Sequence, residues 1–357
     1  MDDWSDAENH VDRAYELYEA GRWDEAESEL REALALNPYR AEWHFNLGLT
    51  LEAAGRHAEA ARAFHDAHEL EPDEPQTLVM LGLCALRQGE PRASLGWFEK
   101  AAAADPEDPD ALVHRIEAHR RLGEHDQAEV MFYLAQQLKP ENAQAYANLA
   151  DSLLDRGQVD RAIWCLREAA RIDPALPRVH ARLAQCYATT GRLERARQLY
   201  LMDLRQDPGD IDTLLDLGQL LLTMNRAGEA GEKYRRVLEL EPDNPDAHFL
   251  LGELAAGMGD PGEARRHYDL ALRLDPEFPG ARRRMARLLI AERAPDYLPE
   301  SQHLLSDELE AFRARPQDFE PDEIDDLGQL LLDCSMGSEA RQVFAELVRR
   351  RAGEARP

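Results

Sequence analysis

The sequence has no long apolar run and few cysteines. None of its 357 residues lies in a stretch that approaches the roughly 18 consecutive apolar residues of a membrane-spanning helix. The N-terminal segment is acidic and lacks the basic and apolar regions of a secretory signal peptide. The four cysteines are far apart and include no C-x-x-C pair. These absences predict a protein without a membrane partner, in a reducing, cytoplasmic compartment, whose thiols pack as small apolar side chains.

Motifs of known catalytic and cofactor-binding sites are also missing. The sequence contains no G-x-S-x-G elbow, no phosphate-binding P-loop, no G-x-G-x-x-G after a strand and no H-E-x-x-H. His65 and His68 lie one helical turn apart, but no third ligand is nearby in the sequence, and a zinc site needs three or four ligands. We therefore expect no catalysis, no cofactor and no metal.

Basic residues are scarce relative to acidic ones, most of all near the N-terminus. The chain carries 42 Lys and Arg against 70 Asp and Glu, a formal net charge of −28. Residues 1–74 hold 20 acidic and 6 basic side chains, whereas residues 177–210 hold 4 acidic and 6 basic ones. Because a strongly acidic protein repels phosphate backbones, we expect no nucleic-acid partner. The acidic end either keeps the chain soluble or attracts a basic partner, and both interpretations stay open.

What the sequence does contain is one pattern repeated with a period of 34 residues. Proline closes the copies at Pro38, Pro72, Pro106, Pro140, Pro174, Pro208, Pro242 and Pro276. A turn residue recurs in step at Gly21, Gly55, Gly89, Gly123, Gly157, Gly191, Asn225 and Gly259. A bulky residue recurs as Leu30, Phe64, Phe98, Phe132, Leu166, Tyr200, Tyr234 and Tyr268. Asn tolerates the left-handed backbone conformation next best after Gly, so Asn225 is expected to form the same turn.

The copy at residues 41–74 shows why this pattern predicts a helical hairpin. Leu47 and Leu51 fall on one helical stripe, and Phe64 marks a second stripe after the break at Gly55. Pro72 cannot continue the second helix. Larger side chains would push the two helices apart at their crossing, and small residues stand there, namely Gly48, Ala60 and Ala67.

A period of 34 with this residue pattern resembles the tetratricopeptide repeat (TPR) family over almost the whole chain. The resemblance implies an all-α fold, a right-handed superhelical TPR solenoid of about ten helix-turn-helix repeats. Each repeat of such a solenoid covers the apolar face of its neighbour. The resemblance also implies a protein–protein interaction scaffold or adaptor, which binds a peptide or helical segment in a concave groove formed by the first helix of each repeat.

The regularity of the repeats divides the chain into three parts. Eight regular repeats with a short lead cover residues 1–278, an irregular ninth repeat covers 279–320, and a tenth repeat with a tail covers 321–357. In the ninth repeat the segment ERAPDYLPES replaces the tight turn, and a second helix is predicted from about Glu300 to Ala314. Because an irregular repeat weakens both of its interfaces, we expect residues 293–321 to be the softest part and the tenth repeat to open separately.

In this family, certain side chains of the first helices face the groove. The character of these side chains changes along the chain. The predicted partner-binding residues are first apolar, then polar, then basic: Tyr15, Phe45, Asn46, Leu49, Val79, Leu83, His114, Arg121, Asn148, Asp151, Arg182, Gln185, Arg283 and Arg287. Two alternatives stay open. The apolar residues could pack on one another or on a preceding lead helix. The arginine run 282–284 could be a solvated helix face that pairs with Glu292 or Asp296. Four histidines occupy a packing position of the family and are expected in the core: His10, His44, His180 and His248.

The sequence therefore favours a non-catalytic scaffold that holds one or more protein or peptide partners. A second hypothesis is an architectural protein that associates with itself through its last helix. That helix would present an uncovered apolar edge made of Val343, Phe344, Leu347 and Val348. An enzyme is a third alternative, which no motif supports.

Overall fold

The computed structural model of the chain describes residues 2–278, 280–292 and 297–354. These residues form 20 α-helices and one short 3-10 helix, and the described ranges contain no β-strand. Within the same ranges, no helix is both long and apolar enough to cross a membrane. The helices pack into two compact units, residues 1–190 and 191–357. The division predicted at residues 278 and 320 follows the regularity of the repeats and stays a prediction.

In the first unit, successive helices pair into hairpins and each hairpin packs on the next. The first helix, as the structure describes it, begins at Asp2, so residues 2–6 of the predicted short lead are helical. The helices of this unit are α1 Asp2–Glu19, α2 Trp23–Leu36, α3 Ala41–Ala53, α4 His57–Leu70, α5 Pro75–Arg87, α6 Pro91–Ala104, α7 Asp110–Arg121, α8 His125–Leu138, α9 Ala143–Asp155, α10 Val159–Ile172 and α11 Val179–Thr189.

Within the second unit, helices also pair into hairpins, and this unit contains the irregular repeat. Its helices are α12 Leu193–Gln206, α13 Ile211–Thr223, α14 Ala227–Leu240, α15 Pro245–Gly257, α16 Pro261–Leu274, α17 Ala281–Glu292, α18 Tyr297–Ala314, α19 Pro321–Asp333 and α20 Gly337–Glu354. The 3-10 helix, Pro316–Asp318, lies between α18 and α19.

The turns inside the hairpins use the left-handed backbone conformation, as the sequence predicts. Gly55 has a φ of 75°. The turn closes because the Gly55 and Arg56 amides donate to the Glu52 and Leu51 carbonyls, at 3.0 and 2.8 Å. The prediction for Asn225 is confirmed, since its φ is 60°. In the last repeat Ser335 takes this role with a φ of 64°, and Gly337 begins the next helix.

The ninth repeat differs from the prediction in how it uses its extra residues. The second helix, α18, begins at Tyr297 and has 18 residues, against 14 in α16. Pro299 therefore lies in the first turn of a helix, where no intrahelical donor is lost. The expected ten-residue loop is thus shorter, and Pro295 lies outside the described residues.

Repeats nine and ten share one apolar core. Leu305 and Leu309 of α18 belong to the same buried cluster as Leu327 and Leu331 of α19. Across the same interface, the Gln302 amide donates to the Cys334 carbonyl at 2.9 Å. The edge predicted for α20 is largely covered: Val343 and Leu347 are buried and Phe344 is half-buried, which leaves Val348 exposed.

All four cysteines are buried and unpaired, at Cys84, Cys165, Cys186 and Cys334. Burial raises the pKa of the Cys165 and Cys186 thiols to about 11, because a thiolate loses its solvation there. The thiols are therefore protonated and pack as small apolar groups, as the sequence predicts.

Candidate partner-binding site

An apolar cavity opens between α1 and α3, the first helices of repeats one and two. Its volume is about 230 Å³, and it is lined by Val11, Asp12, Ala14, Tyr15, Tyr18, Leu30, Glu42, Asn46, Leu49 and Thr50. Three predicted groove residues thus come together here, namely Tyr15, Asn46 and Leu49. Tyr15 is 68% exposed and Tyr18 is 36% exposed, so two partly exposed aromatic side chains border the cavity. We call this cavity the N-terminal groove.

Three further apolar residues predicted for the groove are half-buried and contact the core. The Phe45 ring lies 5.6 Å from the fully buried Phe64 ring, at an interplanar angle of 57°. Val79 and Leu83 pack against the buried cluster around Phe98. These side chains therefore serve packing on one side and leave only part of their surface to a partner.

Three polar residues predicted for the middle of the groove connect neighbouring repeats. Each donates a side-chain hydrogen bond to a backbone carbonyl 35 residues earlier: Asn148 to Val113 at 3.0 Å, Arg182 to Ala147 at 2.7 Å, and Arg121 to Leu86 at 2.6 Å. Asp151 accepts a further bond from Arg182, at 3.2 Å. The Arg121 and Arg182 guanidinium groups have further N–H donors, so the contact of these residues with a partner stays a prediction.

His114 and Gln185 lie in contrasting surroundings. The His114 ring stacks on Phe98 with centroids 5.5 Å apart and planes 23° from parallel. Burial lowers the pKa of this imidazole, so it packs as a neutral ring. Gln185 on α11 is exposed and keeps its place as a predicted contact residue.

Arg283 lies in the core of the ninth repeat, which differs from the expectation that it faces a partner. It is 5% exposed, and its Nε lies 2.9 Å from Glu308 Oε1. Its Nη2 pairs with Glu323, and its guanidinium lies 5.5 Å from the centre of the Phe319 ring. The physical reason is desolvation: a guanidinium buried this deeply needs carboxylates around it, and these hold it away from a partner.

The arginines that follow Arg283 border a larger cavity of about 630 Å³ in the second unit, between α17 and α19. Arg287 pairs with Asp326, and Arg284 Nε lies 3.3 Å from Glu253. These partners differ from Glu292, one of the two residues considered from the sequence, and the other, Asp296, lies outside the described residues. Since both signs of charge line this cavity, it is not the cationic surface that the arginines alone suggested.

The two histidines that lie one helical turn apart pack against a tryptophan. His65 and His68 both set their rings edge-on to Trp97, with centroids 5.7 and 5.2 Å away. Of the four histidines expected in the core, His180 and His248 are buried and His10 and His44 are half-buried. Among the residues that the structure describes, no group of three or more His, Cys, Asp and Glu side chains could hold a metal ion.

Comparison with known families agrees with the repeated hairpins. One tetratricopeptide repeat model matches residues 11–75, 118–177 and 215–279, and a second matches 51–118 and 153–212. The chain belongs to the tetratricopeptide repeat family. The comparison with curated proteins finds no match.

Several solved structures are similar to the chain at low sequence identity. The human IFIT1 dimer with PPP-AAAA is 18% identical, with 95% of this chain and 81% of that chain covered and a TM-score of 0.59. The Cut9–Hcn1 hetero-tetramer of the APC/C is 18% identical, with coverages of 78% and 54% and a TM-score of 0.56. A thermophilic TPR protein from Thermus thermophilus is 25% identical, with coverages of 51% and 99% and a TM-score of 0.49. At 18% identity the likeness to the first two establishes the all-α TPR solenoid alone.

Two structural features of this TPR protein were not predicted from its sequence. The first is the burial of Arg283, which the repeat register could have indicated. In the eight regular repeats the equivalent position holds only apolar residues: Val11, Phe45, Val79, Val113, Ala147, Ala181, Leu215 and Phe249. The second is a pair of histidines, His248 and His267, whose Nδ1 atoms lie 3.1 Å apart. The repeat pattern of the sequence does not indicate that contact, because a single pair of side chains makes it between α15 and α16.

Proposed function

We propose that this TPR protein is a non-catalytic scaffold, which binds a peptide or helical segment of a partner protein in the N-terminal groove. One observation carries the proposal: Tyr15, 68% exposed, and Tyr18 stand beside a cavity that Val11 and Leu49 line with apolar surface. Tyrosine beside a small apolar pocket is typical of the residues that dominate protein interfaces, because its ring buries much area at little entropic cost.

The same groove favours a partner segment that carries basic as well as apolar side chains. Asp12 and Glu42 lie in its lining, and the Asn46 amide supplies a neutral polar contact. The first 74 residues hold 20 acidic and 6 basic side chains, so a basic segment is attracted over a longer range. Phe45, Val79 and Leu83 extend the apolar surface toward the third repeat.

Nucleic acid fits this groove less well than protein. A net charge of −28 repels phosphates, and the carboxylates of the lining add to that repulsion locally. The likeness to IFIT1 with PPP-AAAA concerns the fold, which hosts many functions. We also propose a reducing, cytoplasmic compartment, which the four unpaired, buried thiols favour.

Site-specific cross-linking tests the proposal. A photoreactive phenylalanine analogue at position 15 should cross-link a protein partner in extracts of the host. The same analogue at position 39 serves as the matched control, because Tyr39 is 79% exposed and is not among the residues that line the groove. Equal cross-linking at both positions would show non-specific binding and would overturn the proposal.

Quantitative binding to the captured partner then tests the groove directly. Tyr15→Ala together with Leu49→Ala should weaken binding by about tenfold or more, whereas Tyr39→Ala should leave it unchanged. If both variants bind as the original protein does, the groove is not the site. The competing hypothesis of self-association predicts a mass that rises with protein concentration, and a constant monomer mass would eliminate it.

A further inference from the structure

A second cavity lies in the other compact unit, between α12 and α14, the second helices of repeats six and seven. Its volume is about 630 Å³. Its floor is apolar and includes Leu204, Pro208 and the buried Leu214. Its rim is basic, and we call this cavity the basic cavity. It is formed mainly by second helices, whereas the N-terminal groove is formed mainly by first helices, so the proposed function does not account for it.

The rim carries positive charge that the protein itself does not neutralise. Four basic side chains, Arg205, Lys233, Arg235 and Arg236, face two acidic ones, Glu232 and Glu239. Arg236 donates to Glu239 at 2.7 Å, which satisfies one pair. Among the ion pairs of the described chain, none involves Arg205, Lys233 or Arg235. In a chain with a net charge of −28, an uncompensated basic rim around an apolar floor is a local exception.

We propose that the basic cavity binds an acidic segment of a partner protein in which apolar side chains alternate with carboxylates. The carboxylates would pair with Arg205, Lys233 and Arg235, and an apolar side chain would enter against Leu204 and Leu214. A volume of about 630 Å³ lies within the range of ligand-binding clefts in proteins. Exposed arginines suit this role because a guanidinium can hold a carboxylate through two parallel hydrogen bonds.

The lining favours a peptide over a nucleic acid. Proteins that bind single-stranded nucleic acids without sequence preference usually stack the bases on aromatic rings. No aromatic side chain is among the residues that line the cavity. Glu232 and the leucine floor also oppose a chain of phosphates, whereas leucine or valine in a partner segment would bury that floor.

Fluorescence anisotropy with three labelled probes tests the proposal. The first probe is a short peptide that alternates glutamate with leucine, the second replaces its leucines with serine, and the third is a single-stranded oligonucleotide of equal charge. The first should bind, with an affinity that falls as salt rises, because exposed charge pairs are screened. Absence of binding by the first probe, equal binding of the serine peptide, or displacement by the oligonucleotide would each overturn the proposal.

Charge reversal then locates the binding. Arg205→Glu, Lys233→Glu and Arg235→Glu, made together, should weaken the first probe by about tenfold or more, since each attraction becomes a repulsion. The matched control reverses Arg266, Arg273 and Arg349, which are 71%, 73% and 79% exposed and lie outside the cavity lining. It changes the net charge equally and should alter affinity by no more than about twofold. Equal losses in both variants would mean that the probe responds to net charge and would refute the site.

The two proposed sites are separable in the same assay. Tyr15→Ala with Leu49→Ala, which alters the N-terminal groove, should leave the affinity of the acidic probe unchanged. A loss of that affinity would place the acidic probe in the groove and would overturn the assignment to the basic cavity, whatever the fate of the groove's own partner.

Discussion

Gly48 lies directly against the ring of Phe64, sixteen residues later on the paired helix. A β-carbon built on Gly48 would stand 2.5 Å from Cε1 of Phe64, closer than any two such atoms can pack. The same relationship recurs in four other repeats, between Gly82 and Phe98, Gly218 and Tyr234, Gly252 and Tyr268, and Gly328 and Phe344. The glycine is therefore required by the close approach of an aromatic ring, since its backbone is ordinary helix.

Gly48→Ala should destabilise the protein by about 1–3 kcal/mol, the usual cost of overpacking. Phe64→Leu in the same chain should recover part of that loss, because repeat one already pairs Ala14 with Leu30 in the same core. Urea unfolding measures both changes. Gly96→Ala is the matched control: a β-carbon there meets nothing within 4 Å, so it should be neutral or stabilise by about 0.4–1 kcal/mol. Similar losses at both glycines would contradict the packing argument.

The buried charges of repeat nine predict strong non-additivity. Burial raises the pKa of the Glu308 carboxyl, which Arg283 and Arg282 oppose. Arg283→Leu should cost about 3–5 kcal/mol, because it leaves the buried Glu308 with only the more distant Arg282, at 3.8 Å. Combining it with Glu308→Leu should restore most of the stability. Unfolding of the two single variants and the double variant measures the coupling.

Arg287→Leu provides the control for that cycle. Its side chain is 53% exposed and pairs with Asp326, so its removal should cost less than about 1 kcal/mol. A double variant whose loss equals the sum of its two single losses would show that Arg283 and Glu308 do not act as a pair.

The histidine pair predicts a loss of stability in mild acid. His248 Nε2 lies 3.3 Å from the Pro242 carbonyl, which places its proton there and leaves Nδ1 to accept from His267. Burial lowers the pKa of His267, and the neighbouring His248 and Arg266 lower it further. Glu263 raises it, but by less. The folded pKa thus lies below the unfolded value of about 6.5. The unfolded state therefore binds the proton first, and stability falls as pH drops through about 6.5.

Urea unfolding at a series of pH values between about 8 and 5 tests this, with His267→Gln expected to flatten the decline. His303→Gln is the control, because the His303 side chain is 81% exposed, and it should keep the original slope. An unchanged slope in His267→Gln would mean that other groups cause the acid sensitivity.

Hydrogen exchange distinguishes a separate tenth repeat from one that opens together with the ninth. The shared core of Leu305, Leu309, Leu327 and Leu331, together with the Arg283–Glu323 pair, predicts that α17, α18 and α19 open as one group. Arg283→Leu should then accelerate exchange in all three helices by similar factors. Faster exchange in α19 and α20 than in α17 of the original protein would instead support the independent tenth repeat that the sequence predicted.

The fold could be predicted from the sequence because its signals are periodic and local. Gly55, Asn225 and Pro72 specify turns and helix ends through their own backbone preferences, and the structure confirms the turns at Gly55 and Asn225. The contacts of the predicted groove residues could not be predicted in this way. Asn148 and Arg182 bond to carbonyls 35 residues away, and such contacts depend on how two repeats dock. Pro299 was misjudged because proline stops a helix in its interior yet starts one in its first turn.

The burial of every native thiol has a practical consequence for labelling. Cys84, Cys165, Cys186 and Cys334 are all buried, and a protonated, inaccessible sulfur reacts slowly with maleimides. A cysteine introduced at the 79% exposed Tyr39 would therefore take a fluorophore or spin label selectively, with the four native residues left in place. Distances between two such labels could follow each compact unit in solution without a cysteine-free background.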